Sequence, residues 1–206
     1  MAGPTLEDVS GVLIAGGKSR RMGRDKRFLS IDGVSVFGQT LSLLRRMFSE
    51  TLVVLAEPIE GLQLQGCSVV YDVVRNAGSL GGLLTGLIAS TRQRVFAVAC
   101  DMPFLDQDVI RFMSSCDPTA DVVAARLDGR FHPMHAVYSK CCVPLLQGMA
   151  ERKELKIQAL FRREELRVRV LTEADFLPFR SGLRSLLNIN TPEDLASAES
   201  ARFDGQ

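Results

Sequence analysis

With 206 residues, 46 % apolar and 24 % charged, the chain has the size and composition of an ordinary globular domain that can bury a substantial core. Its net charge of +1 excludes a bulk basic field of the kind that attracts nucleic acid or anionic membrane, so affinity for phosphate has to come from local clusters such as Lys18, Arg20, Arg21, Arg24, Lys26 and Arg27. Five cysteines, an odd number with no CxxC pair, argue against a disulfide framework and fit reduced thiols.

In chain order, VLIA (12–15), TLVVLA (51–56), SVVYD (68–72) and VFAVACD (95–101) are short, rich in β-branched residues and apolar on both faces, the pattern of buried parallel strands. Val36, Phe37, Thr40, Leu41, Leu44 and Phe48 recur at helical spacing between the first two runs. Leu80, Leu83, Leu84, Leu87 and Ile88 do the same before the fourth. This alternation predicts a single-domain, Rossmann-like, doubly wound α/β sheet, mostly parallel, with its site at the carboxyl ends of the strands.

Beyond Asp101 the pattern predicts a helix over 106–115 that Asp106 and Asp108 start, and a strand over 121–126. A turn at Asp128-Gly129 leads to a second strand over 134–139, followed by a helix over 140–161 and a strand over 167–171. Thr191-Pro192-Glu193-Asp194 reads as a helix start, with a capping threonine, proline in the first turn and acids at the positive end. No repeat or linker interrupts the chain, so one domain over 1–206 is expected. The start, MAGPTLEDVSG, lacks the basic-then-apolar pattern of a signal peptide, and no apolar run approaches the ~18 residues of a membrane span. The expectation is a soluble cytoplasmic protein with neither nucleic acid nor membrane as partner.

The stretch VLIAGGKSRRMGRDKRFL, residues 12–29, contains GGKS, the apparent end of an ATP-binding phosphate loop. Gly11 and Gly16 have the spacing of such a loop, but Lys18 comes one residue late and the intervening VLIA belongs to a strand. A GxGxxG dinucleotide fingerprint is also absent. A solvated surface turn is the plain alternative. Against it, the glycines follow a buried strand and basic residues surround them: backbone N–H groups at Gly16 and Gly17 would approach an anion while Arg21 and Lys26 meet different oxygens.

Ile14-Ala15-Gly16-Gly17-Lys18-Ser19-Arg20-Arg21-Met22-Gly23-Arg24-Asp25-Lys26 resembles the LAGGxSxRMGxDK signature of molybdenum cofactor guanylyltransferases, within the Rossmann-like nucleotidyltransferases. The resemblance continues through Asp72, the loop 78–83, Cys100-Asp101-Met102-Pro103-Phe104 and Asn188-Ile189-Asn190-Thr191-Pro192-Glu193-Asp194-Leu195, in family order along the chain. It implies GMP transfer from GTP to the molybdenum–molybdopterin cofactor, with Mg²⁺ and release of pyrophosphate. A nucleotide-binding half over about 10–105 and an acceptor-binding half over about 106–200 are implied as well. Ile14, Ala15, Gly16 and Gly17 would bind the nucleotide, Arg21 and Lys26 its phosphates, and Asp101 the metal. Asp72 matches a nucleotide-binding position, and Asn188 and Asn190 match the acceptor-side NxNTP motif. Molybdenum-insertion proteins and apo-molybdoenzymes are the implied protein partners.

The chain departs from the family at Leu55, where an asparagine near the nucleotide is expected, at Ser79-Leu80, usually Pro-Leu, and over about 151–169. Read without the resemblance, Asp101 could be a turn or cap residue, Asp72 a strand exit, and Asn188 and Asn190 capping asparagines. His132 and His135 form an HxxH without a third ligand, and zinc is not expected. Two other functions remain open: a sibling enzyme using CTP on the same cofactor or a nucleotide on a sugar or alcohol phosphate, and a non-catalytic nucleotide-binding protein that delivers the cofactor.

Overall fold

The computed structural model describes residues 5–16, 30, 31, 33–60, 62, 64–189, 191, 193, 194 and 196. Gly17, Lys18, Arg20, Arg21, Arg24, Lys26, Arg27 and Asn190 lie outside the described residues.

The chain forms β1 (Val9–Ile14), a two-residue hairpin of β2 (Ser30–Ile31) and β3 (Val34–Ser35), α1 (Val36–Met47), β4 (Thr51–Leu55), β5 (Ser68–Tyr71), α2 (Gly78–Ala89) and β6 (Arg94–Ala99). Then come α3 (Gln107–Ser115), β7 (Val122–Leu127), β8 (Arg130–Ser139), α4 (Val143–Glu151), β9 (Val168–Leu171) and α5 (Glu173–Phe176). One seven-stranded sheet runs in the order β5-β4-β1-β6-β8-β7-β9. β5, β4, β1 and β6 are parallel in succession, β8 is antiparallel to both its neighbours, and β9 is parallel to β7. The predicted doubly wound, mostly parallel architecture is what the chain adopts.

β1 is buried along its whole length because neighbours pair both its edges and helices cover both its faces. Val9 and Leu13 point to a core built with Leu44 and Met47 of α1 and Val109, Ile110 and Met113 of α3. Val12 and Ile14 point the other way, to Leu80, Leu83, Leu84 and Leu87 of α2 and Leu146 and Met149 of α4. Period-2 alternation thus serves two cores at once. Ser35 caps α1, its hydroxyl accepting the Gly38 N–H at 3.1 Å, and Asp106 caps α3 through the N–H groups of Asp108 (2.7 Å) and Val109 (3.4 Å). At the edge of the sheet where β1 begins, buried Ser10 bonds the Glu50 carboxylate and the Ser90 hydroxyl, and the Thr91 N–H reaches the same carboxylate at 3.0 Å.

Three sequence expectations change. SVVYD is the sheet edge and half-exposed, because β5 has a neighbour on one side only. The predicted helix over 140–161 is three pieces: a 3-10 turn (Lys140–Cys142), α4, and a second 3-10 segment (Ile157–Arg162). α4 ends with Lys153 in the left-handed region at φ 58 and the Glu154 N–H on the Met149 carbonyl at 2.9 Å, without the glycine that would have signalled the stop. Apolar positions on both sides of this break keep helical phase, which hides it from periodicity. β8 also begins four residues earlier than predicted, directly after the Asp128-Gly129 turn, whose φ values of 47 and 75 suit a type I′ hairpin.

α2 approaches the sheet closely at two glycines. A Cβ at Gly86 would stand 2.6 Å from Val12 Cγ1, and one at Gly82 would stand 2.6 Å from Ile14 Cγ2. Gly86→Ala should therefore destabilise the fold by about 1–3 kcal/mol through overpacking, although alanine alone would favour a helix by ~1 kcal/mol. Urea denaturation at constant m-value checks the sign.

Candidate active site

The chain passes from β1 to β4 on one side and later to β6 on the other, which makes the carboxyl ends of β1 and β6 the switch point of the sheet. Ile14 is level with Val54 and with Ala99. Just beyond them the Ala15 N–H donates to Val54 at 2.9 Å, the Cys100 N–H to Ile14 at 3.3 Å, and the Asp72 N–H to Leu55 at 2.9 Å. Residues 14–16, 56, 72 and 101 consequently leave the sheet along one edge. Gly16 fits there because a Cβ would stand 3.0 Å from the Ala56 backbone nitrogen.

Asp101 is buried, with 5 % of its surface exposed. The Asn188 amide nitrogen donates to its Oδ1 at 3.2 Å, and the Ile189 N–H donates to its carbonyl at 2.9 Å. The structure thus brings together Asp101 and Asn188, 87 residues apart, from the two ends of the predicted constellation. Thr191, just beyond, forms the predicted helix start: its hydroxyl accepts the Asp194 N–H at 3.1 Å while Asp194 accepts the Thr191 N–H at 2.9 Å.

Asp72 stands apart from this pair. It follows β5, three strand spacings or about 14 Å along the edge from β6, too far for the two carboxylates to share an ion. Its Oδ1 is buried with no hydrogen-bond partner among the described residues, and burial raises its pKa to about 6. Leu55 is fully buried in the core with Leu13 and Phe96, so it presents no side chain to a ligand; Ala56 is the outward residue at this strand end.

Next to the Asp101–Asn188 pair lies a cavity of about 370 Å³ whose walls include Met102, Phe131, His132, Met134, Leu186 and Asn188. Burial lowers the pKa of His132, which favours a neutral imidazole at this wall. His135 lies behind it, fully buried, with its pKa lowered to about 3 by burial. Its Nε2 is 3.1 Å from the Ser185 hydroxyl.

Sequence reading did not find this wall, nor Ser185. The clustering of His132 and Met134 with Met102 and Leu186 depends on β8 extending past the end of β6 and on the return of a 3-10 segment, Gly182–Leu186. The one local signal was the HxxH, whose two rings turn out to have different surroundings.

Among the described residues no group of three or more His, Cys, Asp or Glu side chains could hold a metal ion. A single buried carboxylate at a strand end suits a hard cation that shares its ligands with phosphate oxygens and water, and does not suit a closed protein cage.

A doubly wound sheet whose switch point joins a glycine exit from the central strand to one aspartate on the next strand has the frame of a Rossmann-like nucleotidyltransferase. Residues 11–168 match the family described as MobA-like NTP transferase domain. A protein of Pelotomaculum thermopropionicum named probable molybdenum cofactor guanylyltransferase is 30 % identical over 92 % of this chain and 91 % of its own. One of Syntrophotalea carbinolica named molybdenum cofactor guanylyltransferase is 33 % identical over 90 % and 88 %. The crystal structure of molybdopterin-guanine dinucleotide biosynthesis protein A from Archaeoglobus fulgidus superposes with a TM-score of 0.82 at 22 % identity, covering 95 % of this chain and all of that one. The chain is a nucleotidyltransferase and belongs to the molybdenum cofactor guanylyltransferase family of MobA-like NTP transferases.

Asp72 supplies a test of the electrostatics. Its pKa is about 6 in the fold against an ordinary 3.8, so between these values the folded state holds a proton that the unfolded state has lost. Stability should therefore fall as pH rises from about 4 to 6. In Asp72→Asn this loss should disappear, leaving a flatter melting temperature across pH 4–7 and a variant more stable than the parent at pH 7.

Proposed function

We propose that this protein transfers GMP from GTP to the terminal phosphate of the molybdenum–molybdopterin cofactor. An oxygen of the pterin's phosphate attacks the α-phosphorus of GTP; the new P–O bond forms as the bond to the β-phosphate bridging oxygen breaks, and pyrophosphate departs. The observation that carries this reading is the pairing of Asp101 with Asn188 at the switch point, in a chain whose relatives are named for the guanylyl reaction.

In this reading the backbone of Ile14–Gly17 holds the nucleotide, and Arg21 and Lys26 meet its phosphates, where they offset the charge of the leaving pyrophosphate. Asp101 is the carboxylate for Mg²⁺, which when bound supplies Lewis-acid charge neutralisation at the phosphates. Asp72 lies on the nucleotide side, and Asn188 with Asn190 on the acceptor side. The 370 Å³ cavity belongs to the acceptor half: sulfur, aromatic and imidazole groups suit a flat heterocycle. The residues divide accordingly into a nucleotide half over about 10–105 and an acceptor half over about 106–200. Proteins that insert molybdenum and apo-enzymes that take up the product are the partners this reaction calls for.

One observation favours a sibling reaction. Leu55 is buried where the family places an asparagine near the nucleotide, so base recognition by that residue is lost, and CTP is the competing donor. Incubation with Mg²⁺, the cofactor and each of GTP, CTP and ATP, followed by mass identification of the dinucleotide, decides it: the guanine form is expected, and a cytosine product would overturn the named donor. A protein that binds GTP but releases no pyrophosphate would be a carrier instead.

Asp101→Ala should leave a folded protein whose pyrophosphate release falls by roughly 100-fold or more. Near-normal release at physiological magnesium would sink the metal assignment.

A further inference from the structure

The segment that carries Asn188 is held along the loop after β6 at several points. Ser185 Oγ accepts the Asp106 N–H at 3.0 Å, the Arg184 guanidinium stands 4.8 Å over the Phe104 ring, and Asn188 and Ile189 meet Asp101. Beneath them His135 reaches up from β8, its Nε2 at 3.1 Å from the same Ser185 hydroxyl. Both side chains are completely buried. The His135 ring is itself fixed edge-on to Phe96, with centroids 5.0 Å apart and an interplanar angle of 83°. Asp106 is equally constrained, because its carboxylate caps α3. One hydroxyl therefore joins the sheet, the start of α3 and the returning segment, three residues before Asn188.

We propose that Ser185, anchored on His135 and on the Asp106 N–H, is a positioning residue that sets the placement of Asn188 against the Asp101 carboxylate. This rests on the reading of Asp101 as the metal carboxylate. Leu186 and Ile189 bury the segment on either side, but apolar packing is non-directional and tolerates small slips along the chain. A buried hydroxyl with two partners does not tolerate them: hydrogen bonds weaken steeply with misalignment, and a shift would leave the Asp106 N–H and the imidazole nitrogen unsatisfied. Outer groups of this kind orient the residues that meet a metal, and losing one commonly costs about tenfold or more in metal affinity or activity.

A double-mutant cycle in urea tests the placement without any bound metal. Asn188→Ala and Asp101→Ala, alone and combined, are measured with Ser185 intact, with Ser185→Ala, and with Ser185→Thr, which keeps the hydroxyl. The Asn188–Asp101 coupling should change the unfolding equilibrium constant by roughly tenfold with Ser185 present. It should vanish in Ser185→Ala and persist in Ser185→Thr; should the threonine variant not fold, the alanine comparison decides alone. In transfer assays Ser185→Ala should need about tenfold more magnesium for half-maximal rate. Equal coupling in the serine and alanine backgrounds, or an unchanged magnesium requirement in an enzyme that does transfer, overturns the proposal. A wild-type protein that transfers no nucleotide would instead overturn the reaction reading, and the urea cycle would still judge the role of Ser185.

Discussion

Everything in the site depends on β1 being paired in parallel on both sides. Ile14 is level with Val54 and with Ala99, and that double register makes three strands end together. A parallel strand cannot return through a tight turn, so the chain crosses from β1 to β4 through α1 on one face and from β5 to β6 through α2 on the other, and reaches β5 from β4 by a longer connection. The loops after β1, β4, β5 and β6 then emerge along one edge, which gathers residues 14–16, 56, 72 and 101 there from four separate stretches of the chain. The same pairing leaves no exposed edge or face on β1, which explains why it tolerates only apolar and small residues apart from Ser10.

The second constraint is the Asp101–Asn188 contact. A carboxylate only 5 % exposed is costly unless hydrogen bonds hold it; the Asn188 amide supplies one from the far end of the chain, while the Ile189 N–H holds the Asp101 backbone through its carbonyl. The hydrogen bond that makes burial of this carboxylate tolerable also fixes where it points. Asp72 shows the opposite balance. Its Oδ1 is buried without a partner among the described residues, and the raised pKa is the physical mark of that cost.

The frame and the place of Asp101 at a strand end were legible because the signals are local. β-branched runs of four to six residues announce strands, spacing of three and four announces helices, and an aspartate directly after such a run has to emerge at the strand end, as Asp101 does. The end of α4 was not legible: Lys153 adopts a left-handed conformation that nothing in its neighbours specifies, and tertiary packing of Leu160 and Phe161 holds the following turn in place. The buried role of Leu55 was equally out of reach, since a strand's last apolar residue faces the core or the site according to a pleat that one register step inverts. Ser185 carried no signal at all, because an isolated serine in a polar stretch looks like any surface hydroxyl.

By itself the sequence determined the layered α/β architecture and the edge of the sheet at which to look, because hydrophobic period and residue chemistry are properties of short stretches. Only the tertiary structure decided that Asn188 meets Asp101, that Asp72 lies three strands away from it, that Met102, His132 and Leu186 share one wall, and that Ser185 rests on His135. Those are distances between segments far apart along the chain. They are set by the strand order and register that the two cores select together, and no short window of sequence contains them.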